Sequence, residues 1–374
     1  MRPLAVYVHI PFCAKKCAYC DFASFSGQES RWDAYFNALA GEIADWSGAL
    51  KSRRIESVFF GGGTPSLVPA ERIAEVLSRL RAAAAFSPDA EITLEANPGT
   101  LSMQKLAAYR AAGINRLSIG VQSFDAQRLR ALGRIHTPEM AVDAVRMARA
   151  AGFENVSIDL MYGLPGQTIE NWMESVERAI ALPLRHVSAY SLIVEAGTPL
   201  AAAVEAGRVQ IPEDDAVIEM QRRATERLSE AGFARYEISN YARPGSESRH
   251  NLSYWLGGDY LGLGSAAHSL MDGARFANPP EIERYIAGER KLDYFVRTLR
   301  DRREEALMLE TRTARGLSLE NWRAAFGEDF CAAHEAALRR LEAGGLIAIR
   351  DGFLRLTRAG MELQDSVVLE LMDD

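Results

Sequence analysis

Through roughly the first two hundred residues the chain alternates between two hydrophobic patterns. Short β-branched and aromatic runs at residues 4–10, 57–60, 91–95, 116–120, 156–160 and 186–192 each predict a strand. Between them, apolar residues recur at i, i+3 and i+4 over 31–48, 69–85, 103–112, 139–151 and 170–181, the period of an amphipathic helix. Strand and helix in alternation is the βαβ signature of a parallel sheet. Six such units predict an α/β fold built as an incomplete (β/α)6 barrel rather than a closed barrel of eight.

Beyond these units the pattern loosens. Residues 214–231 predict a helix and 236–241 a strand, while 242–273, rich in Gly, Ser, Asn, Tyr and Trp, reads as loops that line a site. From about Tyr294 onward come helices at 300–310, 319–326 and 328–343, strands at 346–350 and 353–356 around Asp351-Gly352, and a last helix near Thr357. Helices followed by a hairpin predict an α+β, winged-helix-like module. The expected organisation is a barrel over 1–232, an extension with site-facing loops over 233–293, and the C-terminal module over 294–374.

Composition narrows the partners. The formal charge of −7 over 374 residues gives no electrostatic footprint for nucleic acid. Winged-helix modules often bind DNA, but Glu328, Asp329, Glu335, Glu342 and Glu362 favour a docking or lid role here. Apolar stretches are strand-sized, too short to span a membrane, and Met1-Arg2-Pro3-Leu4 lacks a signal-peptide core, so a cytoplasmic protein is expected.

The cysteines change the picture most. Three of the four, Cys13, Cys17 and Cys20, share one loop at C-x3-C-x2-C spacing. Thiolates hold iron–sulfur clusters, normally one per iron. Three in so short a loop can wrap three corners of a cubane and leave the fourth iron open to a small molecule. Zinc is the alternative, with His9 or Cys331 as fourth ligand, although no second ligand pair follows. A disulfide suits neither three neighbouring cysteines nor a reducing compartment.

In parallel barrels the chemistry gathers at the C-terminal strand ends. There the chain carries Gly61-Gly62-Gly63-Thr64-Pro65, a turn that lets backbone groups approach a ligand and lacks the Gly-Lys-Ser/Thr ending of a P-loop. Glu95 ends the third strand, Gln122 follows the fourth, Asp159 lies on the fifth, and Arg134 occupies a loop after a helix. Each alone could be a helix cap, a solvated group or half of an ion pair. Together, beside the cysteine loop, they predict a polar ligand site.

With Tyr19 as the aromatic of C-x3-C-x-(aromatic)-C, the loop resembles the signature of the radical S-adenosylmethionine superfamily. Tyr7-Val8-His9-Ile10-Pro11-Phe12-Cys13 resembles its oxygen-independent coproporphyrinogen oxidase (HemN-like) branch. The resemblance extends through the Gly61–65 turn, Ser118-Ile119-Gly120-Val121-Gln122-Ser123-Phe124 and Ile158-Asp159-Leu160-Met161-Tyr162-Gly163-Leu164-Pro165-Gly166-Gln167. It implies that Cys13, Cys17 and Cys20 hold a [4Fe–4S] cluster whose open iron chelates S-adenosylmethionine, which an electron cleaves to methionine and a 5′-deoxyadenosyl radical. It further implies Tyr7, Gly63 and Thr64 at the methionine end, Arg134 at its carboxylate, Tyr19 near the adenine, and Glu95, Gln122 and Asp159 facing the ribose or a neighbouring polar group.

Two departures shift the expected function. Dehydrogenases of this branch carry a further cysteine two residues after the third, where this chain has Phe22, and a longer stretch before the position of Tyr7. Both resemble the HemW-type haem chaperones, which are thought not to perform the decarboxylation. Their H-N-x-x-Y-W pattern is present in Ser248-Arg249-His250-Asn251-Leu252-Ser253-Tyr254-Trp255 and implies haem near His250, Tyr254 and Trp255. The chemistry is sensible, since imidazole ligates haem iron and aromatic rings pack on a macrocycle, though such a cluster also serves as ordinary core.

His268 is a second candidate ligand or substrate-site group. His136, His186 and His334 read as structural, and Cys331 as a small buried residue. The resemblance therefore implies a haem carrier that delivers to acceptor haemoproteins such as respiratory enzymes, with an electron donor for the cluster. The alternative is oxidative decarboxylation of coproporphyrinogen III. A cluster loop near a surface could also support a homodimer.

Overall fold

The computed structural model describes residues 1–372; the last two positions of the expected 294–374 module lie outside the described residues. Strands β1 (Arg2–Ile10), β2 (Arg53–Gly62), β3 (Ala85–Ala96), β4 (Arg116–Gln122), β5 (Asn155–Tyr162) and β6 (His186–Ser191) lie side by side in chain order, every adjacent pair parallel. Helices α1 (Trp32–Leu50), α2 (Ala70–Ala83), α3 (Met103–Ala112), α4 (Pro138–Ala150), α5 (Ile169–Ile180) and α6 (Asp214–Glu230) follow them in turn.

One core joins the two layers. Val6, Val8, Ile10, Val58 and Phe60 are buried against apolar helix faces such as Ile73, Leu77 and Leu80 of α2; a fully buried side chain of this kind contributes about 1.5–3 kcal/mol. Helix starts are set by side-chain caps: Ser102, Thr137 and Thr168 accept backbone N–H groups at the first turns of α3, α4 and α5.

Past α6 the structure departs from the sequence pattern. The strand expected over 236–241 is a hairpin of β7 (Ala234–Glu237) and β8 (Asn240–Ala242), because the Glu237 carboxylate accepts the Ser239 N–H at 2.9 Å and closes a turn inside the run. The stretch 242–273, expected as loops, contains α7 (Arg249–Trp255), β9 (Tyr260–Leu263) and β10 (His268–Met271). β9 is a seventh parallel strand, pairing with β1 so that Gly262 stands opposite Tyr7. Glycine is required there: a Cβ on Gly262 would lie 2.2 Å from the His268 carbonyl oxygen.

Strands β11 (Ala274–Ala277) and β12 (Leu292–Val296) extend the sheet antiparallel, giving the order β12-β11-β10-β9-β1-β2-β3-β4-β5-β6-β8-β7. The edge strands β7 and β12 do not pair, so the barrel is open, as the six-unit pattern predicts.

The C-terminal residues have their own core, built on Trp322, Phe330, Leu338, Leu354 and Val367 and including a three-stranded antiparallel sheet. The helix expected over 328–343 breaks at His334 into Phe330–Ala333 and Glu335–Ala343, with the His334 ring packed on Phe330 at 4.4 Å. Cys331 is half-buried on the first piece rather than fully buried. Ion pairs Arg222–Glu362 and Arg358–Glu226 tie this unit to α6.

Candidate functional site

The chain leaves β1 into the cysteine loop, and backbone bonds hold that loop over the strand ends. Gly63 and Thr64, just past β2, donate their N–H groups to the carbonyls of Ile10 (2.9 Å) and Phe12 (2.8 Å). A Cβ on Gly63 would meet the Phe12 oxygen at 2.8 Å, so only glycine permits this approach. Ala18 donates to Leu132 O at 3.1 Å and accepts from Leu200 N–H at 2.9 Å. The three thiols are free and half-buried. The Thr64 hydroxyl donates to Cys13 Sγ at 3.6 Å, and Arg134 Nη1 donates to Cys17 Sγ at 3.7 Å. Burial pushes the Cys13 and Cys20 thiols up.

Beneath the loop lies a cavity of about 350 Å³, lined by Cys13, Cys17, Cys20, Tyr19, Gly63, Thr64, Glu95, Gln122, Arg134 and Asp159. Of the residues expected around S-adenosylmethionine, only Tyr7 is elsewhere: its ring stacks on Phe59 and its hydroxyl meets His9 Nδ1 at 3.1 Å. Gln122 reaches the cavity from a left-handed backbone (φ 66°) beside a register shift at the end of β4. A bulge at a strand end re-aims a side chain in this way.

The cavity is electrostatically unusual. Burial, reinforced by the nearby Asp159 carboxylate, pushes Glu95 up to about 8, against the Gly62 N–H it accepts at 3.2 Å. Burial also raises Asp159, opposed by hydrogen bonds from Ser188 and Ser118, the latter at 3.0 Å. Arg116, 2% exposed, lines the same cavity and its buried Nε has no hydrogen-bond partner. Sequence reasoning missed Arg116, Tyr190 and Asn251 here. Arg116 carried a signal, since alternation puts it on one face with Ser118, Gly120 and Gln122.

The donor set suits a cluster held at three corners: three thiols on one cavity wall, an arginine beside one of them, and open space in front. The fourth ligands considered for zinc are engaged or remote. His9 Nε2 bonds Ala23 O at 2.8 Å while Nδ1 meets Tyr7, and burial lowers this histidine to about 4. Cys331 packs against the C-terminal core. Among the described residues, no three His, Cys, Asp or Glu side chains form a group that could hold one metal ion.

A groove of about 610 Å³ adjoins the first cavity and shares Phe22 and Gly62 with it. Its walls include Tyr254, Trp255, Tyr260 and His268. Tyr254 and Trp255 thus face a cavity, and His250 does not. His250 is 1% exposed and packs its ring on Phe59 at 5.1 Å. Its Nδ1 meets Ser57 Oγ at 2.9 Å and its Nε2 meets Tyr254 Oη at 2.8 Å. Both ring nitrogens are therefore taken, which a resting iron ligand does not permit. His136 and His186 are likewise buried and hydrogen-bonded, and His268 is exposed.

Residues 7–179 match the Radical SAM superfamily and 298–363 match the HemN C-terminal domain. The Bacillus subtilis (strain 168) protein named Heme chaperone HemW is 35% identical over 369 residues, 97% of each chain. The Escherichia coli (strain K12) protein of that name is 40% identical over 269 residues, 72% of this chain and 70% of its own. Among solved structures, coproporphyrinogen III oxidase (HemN) from Escherichia coli superposes with a TM-score of 0.86 at 25% identity, covering 99% of this chain and 90% of that one. Similarity of this extent, running through both cores and not the barrel alone, shows that the chain belongs to the radical S-adenosylmethionine superfamily and, within its HemN-like branch, to the HemW family.

Proposed function

We propose that this protein is a cytoplasmic haem chaperone that carries a [4Fe–4S] cluster and S-adenosylmethionine and passes haem to acceptor haemoproteins such as respiratory enzymes. The near-full-length similarity to proteins named Heme chaperone HemW carries the reading. Two adjoining cavities support it, one walled by three cysteines and the other by aromatic side chains.

In this reading Cys13, Cys17 and Cys20 hold the cluster, which when bound supplies an electron to S-adenosylmethionine from an external donor. Arg134 receives the methionine carboxylate, Gly63 and Thr64 flank that end, and Tyr19 covers the adenine. Glu95, Gln122 and Asp159 meet hydroxyl groups; a protonated Glu95 can donate as well as accept. Residues 1–232 supply the six βα units, 233–293 add strands to the same sheet and carry the haem-facing wall, and the residues from 294 onward serve as a docking or lid module. No described helix is long and apolar enough to cross a membrane.

The test is anaerobic purification with iron and sulfide reconstitution, then EPR of the reduced protein with and without S-adenosylmethionine, haem titration, and incubation with coproporphyrinogen III. A cluster signal that changes on adding S-adenosylmethionine, stoichiometric haem binding and unconverted coproporphyrinogen III are expected. Formation of protoporphyrinogen IX would instead establish the oxidase chemistry named for the structural relative.

A further inference from the structure

The unengaged imidazole of the groove is that of His268. His268 opens β10 and is exposed, and its ring makes no hydrogen bond or ion pair with any described residue. Its backbone is held on both sides: His268 pairs with Ala277 of β11, and Gly262 of β9 packs against its carbonyl. Among the other polar side chains on the walls, the buried Trp255 Nε1–H has no partner but offers no lone pair to iron, and several others are engaged. His9 and Tyr7 bond each other, Tyr254 bonds His250, and the Tyr260 hydroxyl accepts from Arg275 at 3.0 Å.

We propose, resting on the haem reading above, that this groove holds a metalloporphyrin with His268 as the protein ligand to iron, and that His250 is a positioning residue which fixes Tyr254 in the groove wall. An iron ligand needs a ring nitrogen with a free lone pair, on a rigid element, facing a space that admits the macrocycle. His268 meets each condition. The volume of about 610 Å³ falls in the usual range of ligand sites. Flat apolar walls suit a porphyrin: the Tyr254 ring stands edge-on to Tyr260 at 4.6 Å and 79°, and the opposite contact of Tyr254, to His250, locks that arrangement. Phe22, 59% exposed and common to both cavities, places the bound macrocycle beside the cysteine loop.

The experiment titrates ferric haem into full-length reconstituted protein and records affinity, Soret band and EPR for wild type, His268→Ala, His250→Phe and Tyr254→Phe. His268→Ala is expected to bind about tenfold more weakly or worse, to lose the wild-type axial-ligand signature, and to regain it with added imidazole. His250→Phe, with circular dichroism and cluster iron matching wild type, is expected to keep that signature. Tyr254→Phe retains both imidazoles and reports only on the groove wall; if His250→Phe fails to fold, loss of the signature in His268→Ala and its rescue by imidazole carry the test. An unchanged spectrum and affinity in His268→Ala would overturn the ligand assignment and leave the haem reading standing. Failure of the wild type to bind ferric haem would overturn both.

Discussion

Arg134 spans the two halves of the candidate site: Nη1 donates to Cys17 Sγ at 3.7 Å while Nη2 donates to the Gly120 carbonyl at 2.5 Å. The strand-end carbonyl thus aims a guanidinium at the space in front of the cysteine loop. A charge-assisted hydrogen bond contributes roughly 1.5–3 kcal/mol. Arg134→Gln is expected to weaken S-adenosylmethionine binding to the reconstituted protein by about ten- to a hundredfold, with iron content unchanged, as read by equilibrium dialysis. Unaltered affinity would remove Arg134 from the carboxylate subsite.

Glu95 gives the cavity a pH dependence whose sign follows from its burial. Its folded value of about 8 lies above the ordinary 4.5, so the native state holds a proton that the unfolded chain releases. This contribution is fully present below about 4.5 and is lost as pH rises through about 8. Glu95→Gln, permanently neutral, should lack that loss. The stability of wild type relative to the variant, from urea unfolding at pH values between 5 and 9, is expected to fall up to about pH 8 and to level off above it. A flat difference would show that Glu95 titrates normally.

The cysteine loop is separable from the barrel that carries it. Its sulfurs are half-buried and outside the main core, while the flanking chain is fixed by backbone bonds at Gly63, Thr64 and Ala18. Cys17→Ser is therefore expected to abolish cluster reconstitution, read as iron content, while the apo-protein unfolds within about 0.5 kcal/mol of wild type. An insoluble variant would mean that Cys17 supports the fold itself.

The six βα units were legible because each strand is a strongly apolar run and each helix keeps its period. β9 was not, because Gly262 and Gly264 flank Leu263 and glycine carries no strand signal; its place beside β1 depends on a close backbone contact that only the folded sheet reveals. The β7–β8 hairpin was hidden because its turn depends on the Glu237 side chain within a run of strand-like residues. The cysteines and polar strand ends were readable as chemistry. The sequence pattern could not distinguish His250 from His268, because accessibility is set by α7 packing on β2 through Ser57 and Phe59.

That packing makes His250 a load on stability in a testable way. Removing its imidazole leaves Ser57 Oγ, 1% exposed, and the Tyr254 hydroxyl without partners and opens a hole beside Phe59. An unpaired buried Ser57 hydroxyl costs roughly 1–3 kcal/mol and a cavity adds to that, whereas the Tyr254 hydroxyl, in the groove wall, can turn to solvent. His250→Ala is expected to destabilise the protein by roughly 3–5 kcal/mol in urea unfolding; a change below about 0.5 kcal/mol would mean the residue is not held as described. Burial also holds His250 down to about 3, below the ordinary 6.5, so it stays neutral in the fold and gains a proton on unfolding. Its contribution is present above about 6.5 and is lost as pH falls toward about 3. His9 and His136, each lowered to about 4, act with the same sign, so the comparison must be differential. Wild type relative to His250→Phe is expected to lose stability between pH 6.5 and 4; a pH-independent difference would show an imidazole that titrates as though exposed, free to ligate iron.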